Sequence, residues 1–485
     1  MRRFMKPLAV ACLLLAAAAC EGTWTNASSQ SPVRAIHAAL MHTGKVLLIA
    51  GSGNDRTDFA AGTFKTAIYD PATDTFKSDI STPYDLFCGG HAFLPDGRLL
   101  VVGGTAQFED QGKGLPWNGE KRTTIFDPVT ETYQPGPDMA IGRWYPSAFE
   151  KTDGKLVVLA GYDEHGNHSN TFQVFDPTTS TFGANTPIAS SGVGVYSPLY
   201  PTFHLLADGK AFYSGAHAWG DGPGTSPYIW DLATNTPRWL PNNSAINVDK
   251  RDQGASVLLP PAQDQKVMVI GGSGTATTAI IDLKAANPAY VAGPPIEEGK
   301  QYVSAVILPD GRVLETGGTS AVREDPNVVY RHSTQIYDPK TNTWSKAADQ
   351  QTGRTYHSGA MLLPDGRVLT FGGNPLNQPF EMNIGLFSPG YTTKVRPSIT
   401  SAPTNVTWGT PFSISTSGPI SGAVLIRPSA VTHSSDSEQR SVDLAVNGTQ
   451  LTVPANHSLT PPGWYMLFVK DSAGVPSVAK WVQVS

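Results

Sequence analysis

Charge is scarce in this chain. Only 15% of its 485 residues are Asp, Glu, Lys or Arg, against 40% hydrophobic, which excludes a disordered, charge-solvated polymer and a phosphate-tracking surface. Net charge is −5 with a pI near 6.1, and no run of Lys or Arg occurs beyond the N-terminus. Both facts argue against nucleic acid or an anionic membrane face as a partner. Cysteine is nearly absent, with three residues in all. What the chain has in abundance is 48 Gly and 39 Pro, close to a fifth of the residues, and that excludes a helical bundle or coiled coil. Turns dominate, and the length affords a large core.

The N-terminus reads as an address. Arg2, Arg3 and Lys6 precede the apolar run Leu8 to Leu15, followed by Ala17, Ala18, Ala19 and Cys20. This is the order of a secretory signal, too short for a stable anchor. Cys20 after small residues resembles a bacterial lipobox, with Ala17 standing where such boxes usually carry Leu. Residues 1–20 are therefore expected to be an export signal of lipoprotein type, with ordinary cleavage as the alternative. The expected location is the periplasm, the cell surface or the medium, with membrane contact only through the lipid. Cys88 is then the lone thiol of the exported body, so no internal disulfide forms there. It is either a buried small hydrophobe or a sulfur committed to another covalent bond.

One pattern recurs along the body: an apolar strand, an Asp-Gly turn, a second apolar strand and a Gly pair. Examples are HAFLPDGRLLVVGG, AVILPDGRVLETGG and GAMLLPDGRVLTFGG. The turn positions Gly44, Gly97, Gly154, Gly209, Gln265, Gly311 and Gly366 are spaced by 46 to 57 residues. A second hairpin signal, such as Tyr69-Asp70-Pro71 or Phe126-Asp127-Pro128, lies between them. Two hairpins per unit make four strands, and the period is nearer a kelch blade than the shorter WD40 unit. The sequence therefore predicts an all-β chain, with a seven-bladed propeller over 21–395 and an immunoglobulin-like sandwich over 396–485. A stacked series of sandwiches is the alternative.

The residues that can carry chemistry stand at the starts of these blades. Phe87-Cys88-Gly89-Gly90-His91 opens the second, Arg143-Trp144-Tyr145-Pro146-Ser147 the third and Arg354-Thr355-Tyr356-His357-Ser358 the seventh. A closed ring aims a thiol, two phenols and an imidazole at one channel mouth. In the tail, Val431-Thr432-His433 adds another imidazole. His91, His165, His168 and His217 are too scattered to form a second metal site.

This ordered set resembles the copper-radical oxidases, galactose oxidase and more closely the glyoxal oxidase branch. The resemblance implies a thioether between Cys88 and Tyr145, with Tyr145 an equatorial copper ligand and radical site. It implies Tyr356 as the axial phenol and His357 and His433 as the imidazole ligands of one copper ion. A tail hairpin would enter the channel to deliver His433. Two imidazoles and phenolate oxygen suit Cu(II), and the oxidisable phenol supplies the second electron that a single copper cannot store. Galactose oxidase stacks a Trp over the cross-linked Tyr from the loop that here reads Ala160-Gly161-Tyr162-Asp163. Glyoxal-oxidase relatives take it from the following blade, which makes Trp219 the candidate. The expected activity is oxidation by O2 of small aldehydes, as hydrates, or primary alcohols, yielding H2O2, in a monomer. The alternatives are a noncatalytic kelch module binding glycan or protein, and an oxidase of a carbohydrate terminus.

Overall fold

The computed structural model describes residues 20–189, 197–220, 226–241, 246, 248 and 251–485. Seven antiparallel sheets follow one another around an axis, each running from an innermost to an outermost strand. The innermost strands are His37–Leu40, Gly90–Phe93, Ser147–Glu150, Phe203–Leu205, Ala255–Leu258, Ser304–Ile307 and Ser358–Leu362. All seven are buried throughout, as expected of strands covered on both faces. Each hairpin turns where the sequence places it. Gly97, Gly154, Gly209, Gly311 and Gly366 have φ of 78 to 91°, and Gln265 takes the left-handed position of the fifth blade at φ 56°. The Gly pairs have a different cause. A Cβ on Gly103 would collide with the carbonyl oxygen of Arg143, and one on Gly372 with that of His357. Each pair lets the segment entering an innermost strand pass close against the hairpin end.

The ring closes through a strand that the repeat pattern does not reveal. Thr23–Asn26 pairs with Gly385–Ser388 and becomes the outermost strand of the seventh blade. The first and last parts of the body thus share one sheet, which leaves the propeller no open seam.

After residue 396 the tail folds as a β-sandwich. Its main sheet contains Gly422–Ile426, Gly463–Lys470 and Lys480–Val484, faced by the sheet of Pro411–Ser413, Ala445–Asn447 and Gln450–Thr452. Its core is continuous with that of the propeller: Val424, Ile426, Val431, Met466 and Phe468 pack in one apolar cluster with Val257, Leu314 and Met361. From this sandwich a hairpin enters the channel. Ala430–Thr432 pairs with His37–Leu40, the innermost strand of the first blade, making that blade a five-stranded sheet.

Candidate metal centre

The chain reaches the channel mouth at the same point of successive blades, just before the innermost strand. There Cys88, Tyr145, Tyr200, Gln253, Tyr302 and His357 all have left-handed backbones, with φ from 48 to 65°. Such conformations are unfavourable for side chains of this bulk and persist only where surrounding contacts impose them. The contacts here are partly the ring itself. The N–H of Tyr145 donates to Cys88 O (2.8 Å), that of Tyr200 to Tyr145 O (3.1 Å) and that of Tyr302 to Gln253 O (3.0 Å). They are also basic residues placed two positions before Tyr145, Gln253 and Tyr302 and three before His357. Buried Arg143 donates to Ala160 O (2.8 Å), Arg251 to Thr277 O (3.2 Å) and Arg354 to Gly372 O (2.7 Å). Lys300 reaches Glu315 (2.9 Å) and Ser333 O (2.6 Å).

His433 arrives from the other side of the channel. Thr432 and Ser435 exchange backbone hydrogen bonds, and His433 and Ser434 turn the chain at φ 48° and 63°. The root of this hairpin is clamped to four blades. Glu438 accepts from Phe93 N (3.1 Å), Gln439 from Ile307 N (3.1 Å), Arg427 pairs with Glu150 (2.5 Å) and Arg440 donates to Leu205 O (3.4 Å).

The structure brings together all five expected residues. The phenol oxygens of Tyr145 and Tyr356 meet, and His433 Nε2 lies 3.1 Å from Tyr145 Oη. Cys88 Sγ and a ring nitrogen each of His357 and His433 fall within 4.8 Å of one another, all buried. Cys88 is a free thiol packed in the same apolar cluster as Tyr145. Each imidazole is oriented by its far nitrogen: His433 Nδ1 lies 2.6 Å from Thr432 Oγ1, and His357 Nδ1 lies 3.1 Å from Asn374 Oδ1. His357 Nε2 is then left buried without a partner.

Burial sets the electrostatics. It pushes the Tyr356 phenol and the Cys88 thiol well above their ordinary values, and Cys88 itself raises Tyr356 further. Burial also holds His357 and His433 well below the usual imidazole value, with the Arg323 cation adding to both. Neutral imidazoles keep the lone pairs that a metal needs. Two such nitrogens, one of them orphaned, and two converging phenol oxygens fit a copper ion.

Trp219 falls elsewhere than expected. Its ring meets Tyr356 at 5.8 Å edge to face and is not among the rings packed on Tyr145. The rings against Tyr145 are Trp144 at 4.0 Å, Tyr200 at 4.6 Å and His433 at 4.7 Å. Trp144 is itself sandwiched between Trp117 and Tyr162, nearly parallel to both. His165 is exposed, and His168 packs on Tyr162.

Sequence reasoning missed Tyr200, Gln253, Tyr302, Arg323 and Asn374. A signal for three was present. Basic-x-Tyr or basic-x-Gln precedes the hairpin in the third, fifth, sixth and seventh blades (Arg143, Arg251, Lys300, Arg354), and Leu199-Tyr200-Pro201 occupies the same place in the fourth. Arg323 lies in a long loop without such a mark. Its guanidinium stands 4.5 Å over the Tyr356 ring, and its Nη1 donates to Asn374 Oδ1 (2.8 Å).

Comparison with known proteins agrees with this geometry. Residues 50–391 match the family described as Glyoxal oxidase N-terminus, and residues 396–484 match Galactose oxidase-like, Early set domain. A galactose oxidase of Gibberella zeae is 28% identical over 96% of this chain and 71% of its own length. The aldehyde oxidase GLOX of Vitis pseudoreticulata is 26% identical over 97% of this chain and 98% of its own. A solved fungal alcohol oxidase of the AA5 family, in complex with copper, shares the fold with a TM-score of 0.79 at 23% identity, covering 96% of this chain and 99% of that one. With its propeller and its sandwich each matched in order, the chain belongs to the copper radical oxidase family, oxidases that use O2.

Proposed function

We propose that this protein oxidises small aldehydes, as their hydrates, or primary alcohols, and passes two electrons to O2 to give H2O2. The observation that carries the reading is the position of Tyr145 Oη, which reaches both Tyr356 Oη and His433 Nε2 inside a buried cluster of rings. Tyr145, Tyr356, His357 and His433 would hold copper, which supplies one of the two electron equivalents and acidifies coordinated oxygen atoms. Tyr356 Oη is the acceptor of the substrate hydroxyl proton; buried without a cation it stays protonated, so the base forms only in the loaded site. The oxidised Tyr145 ring takes the carbon-bound hydrogen. Its sulfur substituent comes from Cys88, by a C–S bond formed with loss of two hydrogens to O2. Trp144 and Tyr200 wall the Tyr145 ring from water, and Trp219 covers Tyr356.

Export with a lipid on Cys20 is part of the proposal. Cys20 is exposed, while Glu21 is held by Arg312 at 2.6 Å, so the thiol stands at the edge of the fold. Labelling with a radioactive fatty acid tests it: incorporation is expected, and Cys20→Ser abolishes it.

The deciding experiment treats the protein aerobically with copper, maps peptides by mass spectrometry and scans aldehydes and alcohols with a peroxide readout. A Cys88 peptide joined to a Tyr145 peptide, two hydrogens lighter than their sum, is expected together with turnover. Unlinked peptides and no peroxide from any substrate would leave only a noncatalytic ring.

A further inference from the structure

Of the three rings packed on buried Tyr145, Tyr200 and His433 are as deeply buried as Tyr145 itself. The third, Trp144, leads outward. Its centre lies 4.0 Å from that of Tyr145, 4.7 Å from Trp117 at 12° from parallel, and 5.7 Å from Tyr162 at 7°. Trp117 and Tyr162 are half-buried, so a continuous file of oxidisable rings runs from the site to the surface. The backbone imposes part of it. Trp144 and Tyr162 exchange N–H···O bonds of 2.8 Å, which sets their side chains on one face of an antiparallel pair. Phe87 and Phe108 also pack on Trp117, and their rings give up an electron far less readily. The indole proton of Trp144 is held in place as well. Its Nε1 donates to Thr105 Oγ1 (3.2 Å), whose own proton goes to Phe87 O (2.8 Å). A hydroxyl is no base for that proton, so Trp144 deprived of an electron stays a radical cation until a neighbouring ring refills it.

We propose that Trp144 and Trp117, with Tyr162 beside them, form an electron relay through which a high-potential one-electron oxidant outside the protein draws an electron from Tyr145. The inference rests on the oxidase reading, in which Tyr145 works in its oxidised form. The oxidant gains one electron from Trp117, Trp117 regains it from Trp144, and Trp144 from the Tyr145 phenolate. No bond forms or breaks, and no proton moves, because a coordinated phenol has already lost its proton. The last hop runs downhill, since a sulfur-substituted phenolate is easier to oxidise than an indole. An electron that strays onto Tyr145 leaves a ring unable to take hydrogen from carbon. The relay removes it while the oxidant stays outside.

The test is flash photolysis of copper-treated protein whose Tyr145 ring has first been reduced by one electron. The oxidant is photogenerated tris(bipyridine)ruthenium(III), too bulky to reach Tyr145. Transient absorption should show an indole radical cation decaying as a Tyr145 radical grows. Trp117→Phe combined with Tyr162→Phe keeps a ring at both places and should slow that growth by at least an order of magnitude, with kcat of already oxidised centres unchanged. Growth as fast in the double variant overturns the proposal, as would happen if electrons left through Trp219. A matching loss of kcat also overturns it, because the rings would then serve packing alone. So does a parent that is cross-linked and turns over but forms no Tyr145 radical after the flash. Should the double variant not fold, Trp144→Phe is read the same way on radical growth alone. Unlinked peptides and no peroxide, beside a Tyr145 radical that still grows fast in the parent and slowly in the variant, would sink the oxidase reading and leave the relay standing.

Discussion

Asn374 does for His357 what Thr432 does for His433: each holds the Nδ1 of its imidazole and leaves Nε2 for the buried cluster. Asn374 Oδ1 is itself held by Asn54 Nδ2 at 2.8 Å and Arg323 Nη1 at 2.8 Å, so the His357 ring is set by residues from three loops. Partners of this kind typically govern metal affinity by about 10–100-fold. Asn374→Ala should weaken copper binding by about that factor in a chelator competition while leaving the cross-link peptide detectable. Asp436 is buried behind the His433 turn, where it accepts from the N–H groups of Glu438 (3.0 Å) and Gln439 (3.1 Å). Burial raises its pKa from 3.8 to about 7. A raised carboxyl pKa stabilises the fold fully below the unfolded value and loses that contribution as pH climbs through the folded one. The Tm advantage of Asp436→Asn, which keeps the acceptor, should therefore grow from pH 4 to pH 7 and level off above. A flat difference across that range refutes the assignment. At this scale the five expected site residues were legible because each sits in a short marked string. Asn374 and Arg323 were not, since nothing near them in sequence records what they approach across the axis.

The hairpins were the easiest elements to read, because an Asp-Gly turn demands a left-handed residue and a strand on either side. Even the deviant fifth unit was placed correctly, with Gln265 where the others carry Gly. Thr23–Asn26 escaped because a four-residue, mostly exposed strand has no periodicity of its own; it exists only by pairing with Gly385–Ser388. Trp24 adds the packing, with its ring 5.1 Å from Phe387 and its indole N–H on Ala348 O at 2.8 Å. Removing residues 21–26 should uncover the Gly385–Ser388 edge, with a lower Tm and concentration-dependent light scattering. The tail hairpin is held differently, by charges out of water. Arg427 serves Glu150 and Glu438 at once, all three 2% exposed or less. Taking away one partner of such a group strands the others, so Arg427→Ala should cost about 3–5 kcal/mol in denaturant unfolding. A loss below about 1 kcal/mol would mean that water or the hairpin rearranges to rescue the carboxylates.

As a whole, the molecule is held together by apolar clusters that run from blade to blade and into the sandwich, and not by its metal centre. Copper should therefore add to stability only by linkage, about 2.7 kcal/mol when free metal stands at 100 times its Kd. Calorimetry with and without chelator should show a Tm shift with unchanged far-ultraviolet circular dichroism. Cys88→Ser should unfold like the parent while losing turnover. The repeat count and the order of the two folds could be read from the sequence because each blade repeats one local grammar. The joint between them could not, because the pairing of Ala430–Thr432 with His37–Leu40 links segments almost four hundred residues apart. That pairing has an evolutionary side. A recombination that exchanged the sandwich alone would graft a foreign finger onto a native first blade, and only a matching register would seat the imidazole at its tip. A chain that traded its sandwich would have to carry the opening blade along with it, so these two distant segments are heirs to a single fate.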